Sequence, residues 1–182
     1  MNYILAQDSK NAPEIGSIMT DYGDSLLRMC FLYLKDVHLA EDAVQDTFIK
    51  IYKSYSQFKG KSAEKTWIMR IAINTCKNYL RNSWWKDIDE AKALERVCVN
   101  DKVDALKDDM LLTEIMKLSS KYKEVILLFY YQDMKIKNIS HVLKIPEGTV
   151  SVRLKRAREI LRNNLSSQKQ FERMVLRNEQ NY

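Results

Sequence analysis

Apolar residues recur at Ile15, Ile18, Met19, Tyr22, Leu26, Met29, Cys30 and Tyr33, the alternating three- and four-residue spacing of one helix face over residues 13–34. Lys35-Asp36-Val37-His38 breaks that rhythm. A second helix is then predicted over about residues 39–55, burying Ala40, Val44, Phe48, Ile51, Tyr52 and Tyr55. Residues 57–61 read as a loop. Ser62 can cap a third helix reaching about Asn82, and Glu64 in its first turn suits the positive end of the helix dipole. Its apolar face is Trp67, Ile68, Ile71, Ala72, Cys76, Tyr79 and Leu80. Regularity lapses over residues 83–107, SWWKDIDEAKALERVCVNDKVDALK, which read as a linker with one helical segment in it. Helical periods return at about 108–118, 121–132 and 136–143, then along a last helix ending near Leu165; the polar tail beyond it reads as frayed.

The pattern predicts an all-α fold of two helical modules joined by a flexible linker. The expected boundaries are 13–82 for the first module, 83–107 for the linker, 108–165 for the second module and 166–182 for a tail. Scarcity of turn formers, 4 Gly and 2 Pro in 182 residues, agrees with long helices and short connections. Net charge is +6 with a pI near 9.1, which favours a polyanionic partner. The apolar run at residues 125–131 is too short to span a bilayer, and MNYILAQDSK has no signal-peptide pattern, so a cytoplasmic protein is expected. Cys30, Cys76 and Cys98 form no CxxC, and neither His38 nor His141 lies near a cysteine. A disulfide framework or metal site is therefore not expected, and Cys30 and Cys76 read as small core side chains. With no phosphate loop and no nucleophile elbow, we expect no cofactor and no enzyme.

Three surfaces carry candidate chemistry. In the last helix Val150, Leu154, Ala157 and Leu161 make one apolar seam spaced 4, 3 and 4, with Pro146 in the first turn. The preceding helix offers Ile136, Ile139 and Leu143, and only Lys144-Ile145 separates the two. So tight a turn, with small Ser140 at the crossing, predicts a helix-turn-helix whose second helix enters the DNA major groove. Thr149, Ser151, Val152, Lys155 and Arg156 then face the groove. Arg156 could read a guanine edge, worth about 1–3 kcal/mol of discrimination, and Val152 could meet a thymine methyl. Arg153, Arg158 and Arg162 either hold phosphates or pack along the flank. The plain alternative is a helical hairpin whose cations only solvate it.

On the third helix Arg70, Asn74, Lys77, Asn78 and Arg81 form a polar stripe suited to phosphates and base edges, or simply to water. The loop before it, Phe58-Lys59-Gly60-Lys61, is basic with an aromatic that could cradle an unstacked base or plug the core. The second helix is opposite in sign: Glu41, Asp42, Gln45 and Asp46 crowd its start, with Ile49 exposed beside them. Acidic residues suit any helix N-terminus, yet an acidic strip with an apolar residue also fits a protein partner that DNA would repel.

AEDAVQDTF (40–48), FKGKSAEKTWIMRIAINTCKNYLR (58–81) and YKEVILLFYYQDMKIKNISHVLKIPEGTVSVRLKRAREIL (122–161) resemble regions 2 and 4 of the sigma-70 family, in its extracytoplasmic function (ECF) group. The resemblance implies a bacterial initiation factor that binds core RNA polymerase and directs it to promoters. By that likeness Glu41, Asp42, Gln45, Asp46 and Ile49 dock on the clamp of the largest polymerase subunit. Phe58, Lys59, Lys61 and the stripe from Arg70 to Arg81 would recognise and help open the −10 element, and the last helix would read the −35 element. It further implies an anti-sigma factor, often membrane-anchored, and no small-molecule substrate. Glu64, Lys144, Ser151-Val152 and Lys155 depart from the common pattern, the last three on the reading face. The linker, at most about 85 Å when extended, would let both modules reach one duplex. The rival reading is an autonomous helix-turn-helix regulator, which has no use for the acidic strip.

Overall fold

Asp36 shows how the first connection is made. Its extended backbone stops one helix, and its side chain accepts a 3.0 Å hydrogen bond from the Leu39 amide to start the next. Helix α1 therefore spans Ile15–Leu34 and α2 spans Val37–Ser54, with Lys35 alone carrying a positive φ of 64° between them. The break is thus shorter than the sequence suggests, because an Asp that caps needs no further loop. A 3₁₀ turn, Tyr55–Gln57, and positive-φ Gly60 lead to α3, Glu64–Arg81. Ser62 lies outside that helix start: the Trp67 amide donates to the Ala63 carbonyl. Glu64 instead accepts from Tyr55 Oη at 2.7 Å and from Tyr22 Oη at 3.5 Å, which ties the start of α3 to α1 and the turn.

The structure, a computed structural model, describes residues 15–60, 62–81 and 110–165, the side chain of Met110 aside. The predicted linker with Trp84, Trp85 and Cys98, the tail, and Lys61 lie outside the described residues. The second group of helices is α4, Met110–Lys117; α5, Ser120–Ile126; α6, Ile136–Leu143; and α7, Glu147–Asn164. No strand occurs among the described residues. After α5 the chain widens into a π turn over Leu127–Tyr131, where the Gln132 amide reaches back to the Leu127 carbonyl. Helical periodicity in the sequence does not distinguish this from a plain α-helix.

Pro146 is the N-cap of α7 and not a first-turn residue; its carbonyl accepts from the Thr149 and Val150 amides. Lys144 adopts the left-handed conformation, φ 54° and ψ 46°, that a turn glycine would take more easily. Ser140 does more than leave room: its hydroxyl donates to the Ile145 carbonyl at 2.6 Å and its carbonyl accepts from the Ile145 amide, locking the turn from both sides.

The core is continuous across both groups of helices. In α1–α3 it is built from Leu26, Met29, Tyr33, Ile51 and Ile68, with Cys30 and Cys76 fully buried, both thiols free and 3.5 Å apart. In α4–α7 it comprises Ile115, Ile126, Leu127 and the seam Val150, Leu154, Ala157 and Leu161. The two groups also pack on each other, α6 against α3 and α4 and the π turn against α1. That contact widens the buried stripe of α3, which includes Met69 and Ile73 and leaves Leu80 exposed. Met19 is likewise exposed, half open to solvent at the outer edge of α1, against expectation.

Candidate nucleic-acid interface

Helix α7 divides as its spacing predicts. With Val150, Leu154, Ala157 and Leu161 turned into the core, Ser151, Val152, Lys155, Arg156 and Arg162 are exposed, and Thr149 and Arg153 half-buried. Val152 stands 51% exposed, an unusual place for a valine unless something covers it. Ser151 returns its hydroxyl hydrogen to the Glu147 carbonyl at 3.1 Å, so toward solvent it presents acceptor lone pairs. Arg158 lies apart from this face. Its guanidinium stacks 5.8 Å from the ring centres of both Phe129 and Tyr130, which commits it to holding α7 against the π turn.

A recess of about 350 Å³ opens beside this exposed face, lined by Lys121, Tyr122, Gly148, Thr149, Val152, Arg153 and Arg156. Lys121 and Tyr122 come from the start of α5, and the lysine ammonium sits 4.9 Å from the tyrosine ring centre. Three cations, Lys121, Arg153 and Arg156, line this hollow, and their charge suits DNA. The sequence reading missed Lys121 and Tyr122 because they are some 30 positions from α7, and only folding makes them neighbours. A basic-aromatic pair at a helix start was the available signal.

On α3 Asn74, Asn78 and Arg81 are exposed, while Arg70 and Lys77 are half-buried. Lys77 Nζ lies 3.2 Å from Glu124 Oε1 of α5. Phe58 is half-buried, its ring 5.1 Å from Trp67 and 5.9 Å from Tyr55, and Trp67 meets Tyr55 edge-on at 5.7 Å. Phe58 thus joins an aromatic trio at the mouth of the loop, next to exposed Lys59 and Gly60.

On α2 Asp42 and Gln45 are exposed, as is Ile49 at 49%. Tyr52, expected to be buried, is 59% exposed one turn further along, so the strip reads Asp42, Gln45, Ile49, Tyr52. Nothing described packs over that end of α2, and there a tyrosine at helical spacing looks like core only in the sequence. Glu41 is half-buried 3.6 Å from His38 Nδ1, and Asp46 accepts from Tyr79 Oη at 3.1 Å. Burial, with Asp46 beside it, pushes the Tyr79 hydroxyl up to about 12. Among the described residues no group of His, Cys, Asp and Glu could hold a metal ion, and no helix is long and apolar enough to cross a membrane.

An all-helical body with a helix-turn-helix at one end, a second cationic helix and an acidic-apolar strip is the outline of a DNA-reading factor that also docks on a protein. Family comparison makes the class specific: the model of Sigma-70 region 2 matches residues 18–86, and that of Sigma-70, region 4 matches residues 108–161. The chain belongs to the sigma-70 family of RNA polymerase sigma factors. Its relatives place it in the ECF group. It is 32% identical to the ECF RNA polymerase sigma factor SigW of Bacillus subtilis, over 81% of this chain and 87% of the relative. It is 34% identical to the ECF RNA polymerase sigma-E factor of Haemophilus influenzae, over 68% and 73%. Similar folds include the sigma factor RpoE of Bartonella quintana in complex with the anti-sigma factor NepR, at 20% identity and TM-score 0.67, covering 84% of this chain and 97% of that one. CnrH in complex with the cytosolic domain of CnrY aligns at 21% identity and TM-score 0.62, covering 82% and 85%. The chain is accordingly a factor of transcription initiation, working with core polymerase on promoter DNA.

Proposed function

We propose that three surfaces divide this work. Helix α7 reads the −35 element as duplex: Thr149, Ser151, Val152, Lys155 and Arg156 face base edges, while Arg153 and Arg162, joined by Lys121 and Tyr122, hold phosphates. Helix α3 and the loop before it take the −10 element through Lys59, Lys61, Arg70, Asn74, Lys77, Asn78 and Arg81. Phe58 is there a wall of the loop more than a free base platform, given its place against Trp67. The α2 strip docks on the clamp of the largest polymerase subunit. The modules correspond to residues 13–82 and 108–165, with 83–107 linking them. The chain performs no reaction of its own; the polymerase does the chemistry. It acts in the cytoplasm, restrained by an anti-sigma factor that can be membrane-anchored. The complexes of CnrH with the cytosolic domain of CnrY and of RpoE with the anti-sigma factor NepR support such a partner.

The observation that carries this reading is the exposed Asp42, Gln45, Ile49 and Tyr52 strip. An autonomous regulator would gain nothing from an acidic-apolar surface beside two cationic ones, whereas a polymerase subunit needs it. The test is transcription in vitro from a promoter identified by mapping start sites after overproduction. Core polymerase plus this chain should initiate at one site. Initiation by core alone, or none from the mixture, would reject the assignment.

A further inference from the structure

Three of the largest polar side chains in the core lie on one surface. Lys123 and Glu124 on α5 and Gln132 at the end of the π turn are 5%, 4% and 2% exposed, and each bonds across to α1 or α3. Lys123 Nζ donates to the Tyr33 carbonyl at 3.4 Å, and Gln132 Nε2 donates to the Ser25 carbonyl at 3.0 Å. Glu124 Oε1 accepts from Tyr33 Oη at 2.9 Å and faces Lys77 Nζ at 3.2 Å. A surface meant to stay buried would be apolar there, since polar groups gain little net free energy from burial. One that is alternately covered and bare needs groups that water satisfies as well as protein does.

The covered state excludes promoter binding by size. Elements named for positions −10 and −35 lie about 85 Å apart along a duplex with 3.4 Å per base pair. A compact chain of this length has a radius of gyration of about 16 Å, hence a diameter of roughly 40 Å. Helix α6, half of the helix-turn-helix, packs directly on α3 in this arrangement. Lys77, moreover, has only one ammonium to give, and its side chain, 42% exposed, already faces a carboxylate.

We propose that Glu124 is a built-in competitor for promoter DNA: its carboxylate takes the phosphate's place at Lys77 and latches the second module over α3. This rests on the assignment of α3 to the −10 element. Tyr33 orients the carboxylate, and Gln132 and Lys123 align the two modules around it. Because the Lys77 partner is half open to water, the latch is weak enough for polymerase and DNA together to release it.

The test uses the full chain without polymerase. In solution scattering, Glu124→Lys should enlarge the radius of gyration by several ångströms, and adding Lys77→Glu should restore the compact value. With an oligo(dT) single strand as probe, Glu124→Gln should tighten binding about three- to fivefold, the range set by a partly exposed ion pair. In a Lys77→Ala background that gain should vanish, which separates competition at Lys77 from a general change in charge. Equal affinity of the wild type and Glu124→Gln overturns the inference, as does an undiminished gain without Lys77. If Glu124→Lys loses helix by circular dichroism, the oligo(dT) cycle decides alone. Should Lys77→Ala leave oligo(dT) affinity unchanged in the Glu124→Gln background, where no latch remains, the −10 assignment of α3 fails and the latch falls with it. If Lys77→Ala weakens binding while Glu124→Gln does nothing, the latch fails and the assignment stands.

Discussion

Arg156 and Arg162 lie on the same helix, both exposed, six residues apart. Arg156 borders the recess midway along α7, beside Thr149 and Val152, and Arg162 sits in the last turn. Arg156→Ala should therefore weaken binding by about 1–3 kcal/mol at one base pair of the −35 element, and Arg162→Ala evenly across sequences. A mutant-by-sequence binding matrix measures both. Tyrosines offer a second residue-scale check. The hydrogen bond to Glu64 pushes Tyr55 up to about 12, against about 10 in an unfolded chain. A group whose folded pKa is raised gives its full contribution below the unfolded value and loses it as pH climbs through the folded one. Urea midpoints should accordingly fall between about pH 10 and 12, and Tyr55→Phe should flatten that decline. At this scale the sequence was a partial guide. It turned Ser151, Val152, Lys155 and Arg156 of α7 outward, and they are exposed. It could not tell that Tyr52 is bare, that Phe58 leans on Trp67, or that Arg158 is held by Phe129 and Tyr130, because each depends on what lies across from it.

Helices were the most legible level, since a seam such as Val150, Leu154, Ala157 and Leu161 follows from geometry internal to one element. Leu154→Ala should cost about 2–5 kcal/mol through the cavity it leaves, read as a lower urea midpoint. Ends were harder. Asp36 as a cap was concealed by the polar run around it, and the π turn at Leu127–Tyr131 leaves no periodic signature. The turn at Lys144, a departure from the family's pattern, proves to be left-handed. With φ at 54°, Lys144→Gly should raise stability by about 1 kcal/mol, the cost of a left-handed lysine less the extra freedom glycine has when unfolded. Thermal melting of the full chain would show it, and an unchanged or lower midpoint would mean that the lysine makes a compensating contact.

For the molecule as a whole, the charge map separates partners: acidic and apolar on α2, cationic on α3 and α7. Asp42→Lys should impair association with core polymerase while leaving binding of the chain to −35 duplex intact, as measured by native gels with each partner. Asp42 is the better target than Asp46, whose carboxylate is already engaged by Tyr79. The sequence by itself determined which segments are helical, the seam of α7, the helix-turn-helix and the sign of each surface, because these depend on neighbours three or four residues away. Only the tertiary structure decided that Lys121 and Tyr122 join α7, and that Lys123, Glu124 and Gln132 lie buried against α1 and α3. A charged residue in a linear pattern reads as solvated. Whether a tyrosine hydroxyl and a lysine from 91 and 47 positions away meet it is settled by packing alone.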